Sequence, residues 1–431
     1  MSTLLIKRGH IIDPANRRDM IGDILVVDGK IKKVGKGIRE KADDVIDARG
    51  LIVTPGLVDM HVHLREPGRE DQETILTASR AALSGGVTSV AAMPNTNPIA
   101  DNQAVIEFVL SRAKELGLVN VYPVGATTKK TEGDLLSEMW EMKRSGAVAV
   151  TDDGVDVADE GLLLKALEYA KTHDLLVMNH CETEELAEGG AMHEGWVSTD
   201  LGLAGIPEVA EDLAAHKSIL LAVRSGARTH LTHLSTKGAV GALRIAKKAA
   251  VKNVTADVAI QHAVLTDEEC RGYNTNAKMY PPLRSEDHRK AIVEALKDGT
   301  IDAITTDHAP HIEPDKLKPF ADAARGTVGL ETSFAALYTY LVKPKHLTLA
   351  QGIALMTYKP ARILGQKKGT LAVGSDADIA IFDIKKEWKV DPSKFQSKGK
   401  NSVFAGKRLT GKAVHTIVGG RVKMRDGRVL P

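Results

Sequence analysis

The sequence predicts an α/β fold: a (β/α)8 TIM barrel with a small β-sandwich domain built from both chain ends. Three observations carry that prediction. The middle of the 431-residue chain alternates apolar, β-type runs with amphipathic helical stretches. Eight such runs can be counted, the number a closed parallel barrel needs. Histidines and aspartates recur at the downstream ends of the runs, the face on which such barrels carry their chemistry.

The first 54 residues read as short strands and tight turns. Asp23-Ile24-Leu25-Val26-Val27 meets Asp28-Gly29, a two-residue hairpin signal, and continues as Lys30-Ile31-Lys32-Lys33-Val34. The barrel runs follow as Leu57–His63, Val87–Met93, Val119–Val124, Ala147–Val150, Leu175–Asn179, Ala227–His233, Val254–Ile260 and Ile301–Thr306. Their nearly unbroken apolar content suits strands buried on both faces. Between them Glu73–Ser84, Asn102–Leu116, Gly161–Thr172, Val209–Arg224, Lys237–Ala250 and Ser285–Leu296 carry a helical apolar period. No Gly-x-Gly-x-x-Gly and no P-loop follows any run, which argues against an open nucleotide-binding sheet. Glu313–Gly326 lacks periodicity and is expected to be a mobile loop over the active face. The tail returns to strands in Ala377–Phe382 and His415–Val418, with Gly419-Gly420 turning into Arg421–Met424. Expected domain boundaries are 1–54 plus 366–431 for the composite β domain and 55–365 for the barrel.

Bulk composition excludes several functions. Lys+Arg number 58 against 56 Asp+Glu, a net charge of +2 that offers no footprint for nucleic acid or an anionic membrane. No apolar run approaches the ~18 residues of a spanning helix, and the opening residues lack a secretory h-region. Two cysteines, Cys181 and Cys270, build neither a disulfide scaffold nor a thiolate metal site. A cytoplasmic protein with a small-molecule substrate is the expectation.

The chemistry lies at the strand ends. His61-Val62-His63 closes the first run, Asp152-Asp153 follows the fourth, His180 the fifth, His233 ends the sixth, and Asp307 follows the eighth. Alternate residues of a strand share a face, so His61 and His63 are expected to project together. With Asp153, His180, His233 and Asp307 they make six nitrogen and oxygen donors at five strand ends. Imidazole and carboxylate without thiolate suit Zn2+, with manganese, cobalt or iron as substitutes, in one or two ions per subunit. Asp307 is the candidate general base and acid of a metal-assisted hydrolysis. Arg65 could grip a substrate carboxylate bidentately, unless it forms a surface ion pair with Glu66 or Asp71. Asn95 could add a hydrogen bond, or merely serve the turn Pro94-Asn95-Thr96-Asn97-Pro98.

Pro55-Gly56-Leu57-Val58-Asp59-Met60-His61-Val62-His63 together with Thr306-Asp307-His308-Ala309-Pro310-His311 resembles the amidohydrolase superfamily. Within it the chain is similar to the dihydroorotases of the longer, bacterial and archaeal type, on His63-Leu64-Arg65-Glu66-Pro67-Gly68 and Met93-Pro94-Asn95-Thr96. The resemblance implies reversible, metal-dependent interconversion of (S)-dihydroorotate and N-carbamoyl-L-aspartate in pyrimidine biosynthesis. It implies that His61, His63 and Asp307 bind a first metal, that His180 and His233 bind a second, and that Asp153 bridges or supports both. It places Arg65 and Asn95 on the substrate carboxylate and His311 on the substrate. It further suggests a homodimer and an association with aspartate transcarbamoylase.

The sequence also departs from these relatives. No lysine lies between Ser145 and Leu163 to bridge two metals. Ile260-Gln261-His262 stands where relatives often have Pro-His-His, Tyr280 where they have Asn, and Arg325-Gly326 where they have Phe-Gly. Tyr280, Asn276, Arg325 and Gly326 are therefore the candidate substitutes at the substrate. His230, His262 and His308 are expected behind the ligands, while His10, His173, His193, His216, His288, His346 and His415 read as surface residues. Cys181 reads as a small buried residue, and Lys398–Arg408 as a solvated loop. Two other functions stay open: a sister enzyme acting on hydantoins, dihydropyrimidines or allantoin, and a non-catalytic homologue that scaffolds aspartate transcarbamoylase.

Overall fold

The computed structural model describes residues 2–431. The chain opens with β1 (Thr3–Asp13), β2 (Arg18–Val27), β3 (Lys30–Gly35), β4 (Asp44–Asp47) and β5 (Ile52–Pro55). Asp28 and Gly29 turn β2 into β3 with φ of 45° and 79°, as a type I′ hairpin requires at both central positions. The barrel strands are β6 (Leu57–Val62), β7 (Val87–Ala92), β8 (Asn120–Gly125), β9 (Ala149–Val150) and β10 (Leu176–Asn179). A short ribbon of β11 (Met192–His193) and β12 (Gly205–Ile206) intervenes before β13 (Thr229–Leu231), β14 (Val254–Ala259) and β15 (Ala303–Thr305) complete the set. The C-terminal segment adds β16 (Ile379–Lys389), β17 (Arg408–Val418), β18 (Arg421–Arg425) and β19 (Arg428–Val429).

All eight barrel strands run parallel, in the order β6-β7-β8-β9-β10-β13-β14-β15. The ring closes where Val62 bridges His308 and the His63 amide donates to the His308 carbonyl at 3.0 Å. Val58, Met60, Ala91, Met93, Val124, Ala149, Leu176, Met178 and Ala303 form one buried cluster drawn from strands around the ring. They fill the barrel, so only its mouth is open to chemistry. The helices start where local chemistry dictates. Thr74, Asn102, Asp159 and Thr236 each cap a helix by accepting from backbone amides of its first turn.

The terminal strands form one nine-stranded sheet from both chain ends, in which β5 pairs with both β1 and β16. Its core joins Leu4, Ile6, Ile24, Ile46 and Val53 to Ile379, Ile381 and Ile417. Stacking of Phe382 on Phe334 at 3.7 Å, and Thr416 Oγ1 donating to the Leu83 carbonyl, fasten this sheet to the barrel. Lys398–Arg408 is not a solvated loop. Asn401, Ser402, Val403 and Phe404 are buried, and Asn401 Nδ2 donates to the carbonyls of Ala309 and Gly326 at 2.9 and 3.1 Å. The basic residues hid this role because they alternate with small residues that face inward. Likewise His193, His288 and His415 are buried, not surface residues. Backbone amides of Lys237 and Asp426 donate to His288 and His415, which makes their burial affordable in hydrogen bonds. No helix among the described residues is long and apolar enough to cross a membrane.

Candidate active site

Seven of the thirteen residues singled out above line one cavity of about 260 Å³ at the barrel mouth, or sit directly on its rim. His63, Arg65, Asn95, Asp153, His180, His233 and Asp307 do so together with Tyr280, Arg325 and Gly326. His61 lies beneath them, fully buried. A bulge makes this possible: Asp59 pairs with Val90 and Val62 with Ala92, which leaves one extra residue on β6 beside His61.

The ring nitrogens and carboxylates converge. His61 Nε2 lies 3.0 Å from Asp153 Oδ1 and 3.6 Å from Asp307 Oδ1. His63 Nε2 lies 3.4 Å from Asp153 Oδ2 and 3.3 Å from Asp307 Oδ1. His233 Nε2 is 3.8 Å from Asp153 Oδ1 and 3.2 Å from His180 Nδ1. Two triads have donor atoms close enough to share a cation: His61, His63 and Asp307, and His61, Asp153 and His233. His180 stands beside the second. Asp152 does not compete with Asp153, because it accepts from the amides of Thr127 and Thr128 at 2.8 and 3.0 Å.

Electrostatics fit a metal here. Burial works against ionising Asp153 and Asp307, yet His61 and its neighbours outweigh it, holding Asp153 well below the usual range and Asp307 at about 2. Burial opposes protonation of His61 too, but Asp153 and Asp307 raise it to about 10. Two ionised carboxylates thus demand positive charge at one buried point, and a divalent cation would displace the His61 proton. Burial, then His233, drives His180 down to about 3, into the neutral form that ligates. His180 Nε2 and His63 Nδ1 are buried without hydrogen-bond partners.

Residues behind the cluster aim it. Asp257 accepts from the His233 amide at 2.7 Å and meets His230 Nε2 at 2.9 Å, while Asp59 accepts from the amides of His61 and Thr306. Reading of the sequence missed both. Their signal was a carboxylate inside an otherwise apolar strand, which only a buried partner explains. His308 meets Glu73 at 3.3 Å, and Gln261 Nε2 donates to the Thr306 carbonyl. Asp307, His233 and Arg65 have positive φ, at 45°, 37° and 62°. Such backbone strain is held in place by surrounding structure and gathers at functional sites.

Arg65 forms no surface ion pair: it is 8% exposed and its Nε has no partner. Glu66 instead accepts from the Ile75 amide and pairs with Arg112. Asn95 Nδ2 donates to the Asp153 carbonyl at 2.9 Å, leaving Oδ1 buried and unpartnered. Tyr280 stacks on His180 at 5.2 Å, and the Arg325 guanidinium covers its other face at 4.2 Å. Asn276 and His311 are not brought to this cavity. Both line a neighbouring one, and His311 Nε2 is engaged by the Arg325 carbonyl at 2.8 Å. The segment 313–326 carries a short helix, Glu313–Lys316. Buried Lys316 donates to the carbonyls of Ala324 and Gly326 at 2.6 and 3.0 Å, fixing that strip of the cavity wall. Burial raises the Cys181 thiol well above its usual range, so it is an inert packing residue.

An eight-stranded barrel with a buried His/Asp cluster at its mouth, completed by a sheet from both termini, is the amidohydrolase type of enzyme. The Amidohydrolase family profile matches residues 52–423, and the chain belongs to that family. Curated relatives across its whole length are dihydroorotases. That of Pelotomaculum thermopropionicum is 50% identical over 98% of this chain and 99% of its own, and that of Geobacter metallireducens 51% over 97% and 99%. Among solved structures, L-hydantoinase (dihydropyrimidinase) from Arthrobacter aurescens superposes with a TM-score of 0.89 at 28% identity, covering 100% of this chain and 98% of that one.

Proposed function

We propose that this chain is a dihydroorotase, hydrolysing (S)-dihydroorotate to N-carbamoyl-L-aspartate and catalysing the reverse cyclisation. Dihydroorotase relatives over the full length support the reading, and one observation carries it to the site. Arg65 is a buried guanidinium with no carboxylate partner, in the same cavity as the His/Asp cluster. A hydantoin or dihydrouracil ring has no carboxylate to offer it, whereas dihydroorotate does.

His61, His63, Asp307, Asp153, His233 and His180 are the residues to hold metal, and their donor set suits zinc. When bound, the metal polarises the amide carbonyl and lowers the pKa of water. Arg65 grips the substrate carboxylate with two parallel donors, and Asn95 adds a neutral contact through its free Oδ1 or its amide. This orients the ring amide carbonyl towards the cluster, so that water meets it in one geometry. Asp307 accepts the proton of the attacking water and delivers it to the ring nitrogen as the C–N bond breaks. Asp257 and His230 hold the His233 side of the cluster. Two buried free cysteines fit a reducing cytoplasm, and a homodimer and an aspartate transcarbamoylase contact complete the proposal.

The test is turnover of dihydroorotate against hydantoin, dihydrouracil and allantoin on one preparation whose metal content is measured. Dihydroorotate should be preferred by about 10²-fold or more in kcat/KM. Metal-loaded protein that turns over hydantoin faster, or no substrate at all, would overturn the assignment in favour of the sister activity or a scaffold.

A further inference from the structure

The helix Glu208–Ser225 has an outer face that nothing in the chain covers. Its inner face packs Ala210, Ala214, Ala215, Ser218, Ile219 and Ala222 against the barrel. The opposite face of such a surface helix is expected to be polar. Instead Val209, Leu213, Leu220 and Val223 are 43, 52, 68 and 51% exposed, with exposed His216 among them. Their spacing alternates four and three residues over two heptads. That is the seam of a coiled coil, kept on one stripe of the helix. Single exposed aliphatics need no explanation, but a one-sided seam of this length marks a partner.

The pattern also says which partner. The seam is symmetric about His216, with Val209 and Val223 seven residues to either side. In an antiparallel pairing across a two-fold axis at His216, Val209 faces the partner's Val223 and Leu213 faces the partner's Leu220. The same register sets Glu208 against the partner's Arg224, and Arg224 against the partner's Glu208. Other charges on the helix are already engaged: Lys217 by Asp156, and Asp212 by Thr236 and the Ala239 amide. Glu208 and Arg224 form no ion pair among the described residues, so these two are free to pair between copies. A parallel pairing would instead set Glu208 on Glu208 and Arg224 on Arg224, a like-charge arrangement. Ile245, 70% exposed on the adjoining helix Lys237–Lys248, widens the apolar strip.

We propose that this helix is the dimerisation surface, docking antiparallel on the same helix of a second copy. Such a contact is isologous and closes at two subunits. It names the surface of the homodimer in the functional reading, but it stands independently of the catalytic assignment.

Sedimentation velocity on the full chain tests it, with dihydroorotate turnover and metal content measured alongside. Wild type should sediment as a dimer. Leu213→Glu with Leu220→Glu should raise the dimer Kd by about 10²-fold or more, since each charge enters the seam twice. Turnover per subunit and metal content should stay unchanged in that variant, which separates this proposal from the catalytic one. Glu208→Arg and Arg224→Glu should each weaken the dimer, by about tenfold, and the two together should restore it. His216→Cys should give one disulfide-linked dimer on mild oxidation, because Cys181 and Cys270 are buried. A monomeric wild type would overturn the proposal. So would an unchanged Kd in the double glutamate variant, charge reversals that add instead of compensating, or a dimeric His216→Cys protein that does not cross-link.

Discussion

Replacing Arg65 by Met separates substrate binding from stability in opposite directions. Burial first, and Arg69 second, pull the Arg65 guanidinium from its usual 12.5 down to about 10. That difference is worth about 3 kcal/mol, the cost of keeping the cation desolvated without a partner. A substrate carboxylate recovers it, and about 3 kcal/mol is somewhat more than a hundredfold in affinity. Arg65→Met keeps much of the apolar stem and removes the charge. KM for dihydroorotate should therefore rise by about 10²-fold, with a smaller change in kcat and no change in bound metal. The free protein should unfold at the same temperature or a few degrees higher, because nothing unpaired is left in the cavity wall. Arg65→Lys should fall between the two, since a single ammonium cannot fork onto a carboxylate. Steady-state kinetics, metal analysis and calorimetry on the three proteins read all of this. A KM within threefold of wild type, or a KM rise accompanied by loss of metal, would refute the reasoning.

Asp307→Asn should lower kcat by about 10²–10⁴-fold, the range of a general base, and stopped-assay rates above a tenth of wild type would remove Asp307 from the proton path. Asp257→Ala should weaken metal affinity by about 10–100-fold through His233 and His230, measured by chelator competition. Removing metal should leave two carboxylates facing each other in a buried site, so the apo protein should melt lower and regain its melting point on adding zinc or manganese; an unchanged melting point would contradict the charge argument. Glu331 gives a pH prediction. Burial raises its carboxyl from the usual 4.5 to about 8 against hydrogen bonds from the Ser397 and Gln396 amides. Its folded value lies above the unfolded one, so the stability it confers is complete below about 4.5 and is lost as pH rises through about 8. Glu331→Gln should flatten the fall in unfolding free energy between pH 5 and 8, by about 2 kcal/mol or more, and parallel wild-type and variant profiles would disprove it.

The sequence by itself determined the eight strands, the helices between them and the residues at the strand ends. Those features rest on local periodicity and capping: the predicted Asn102–Leu116 is the helix Gln103–Leu116 with Asn102 as its cap, and Leu175–Asn179 is β10 with one residue trimmed. The imidazole-carboxylate character of the site was legible for the same reason, since a strand end needs no long-range information to be found. Tertiary structure alone decided the rest. It chose Asp153 over Asp152, because the Thr127 and Thr128 amides take one carboxylate and leave the other to the histidines. It set His61 and His63 through a bulge that strict alternation does not foresee. It drew Tyr280 and Arg325 into the cavity and left Asn276 and His311 in the next one. It buried Asn401 beneath the loops it supports. Each of these depends on which distant segment supplies the hydrogen-bond partner, and a pattern read along one chain does not contain that choice.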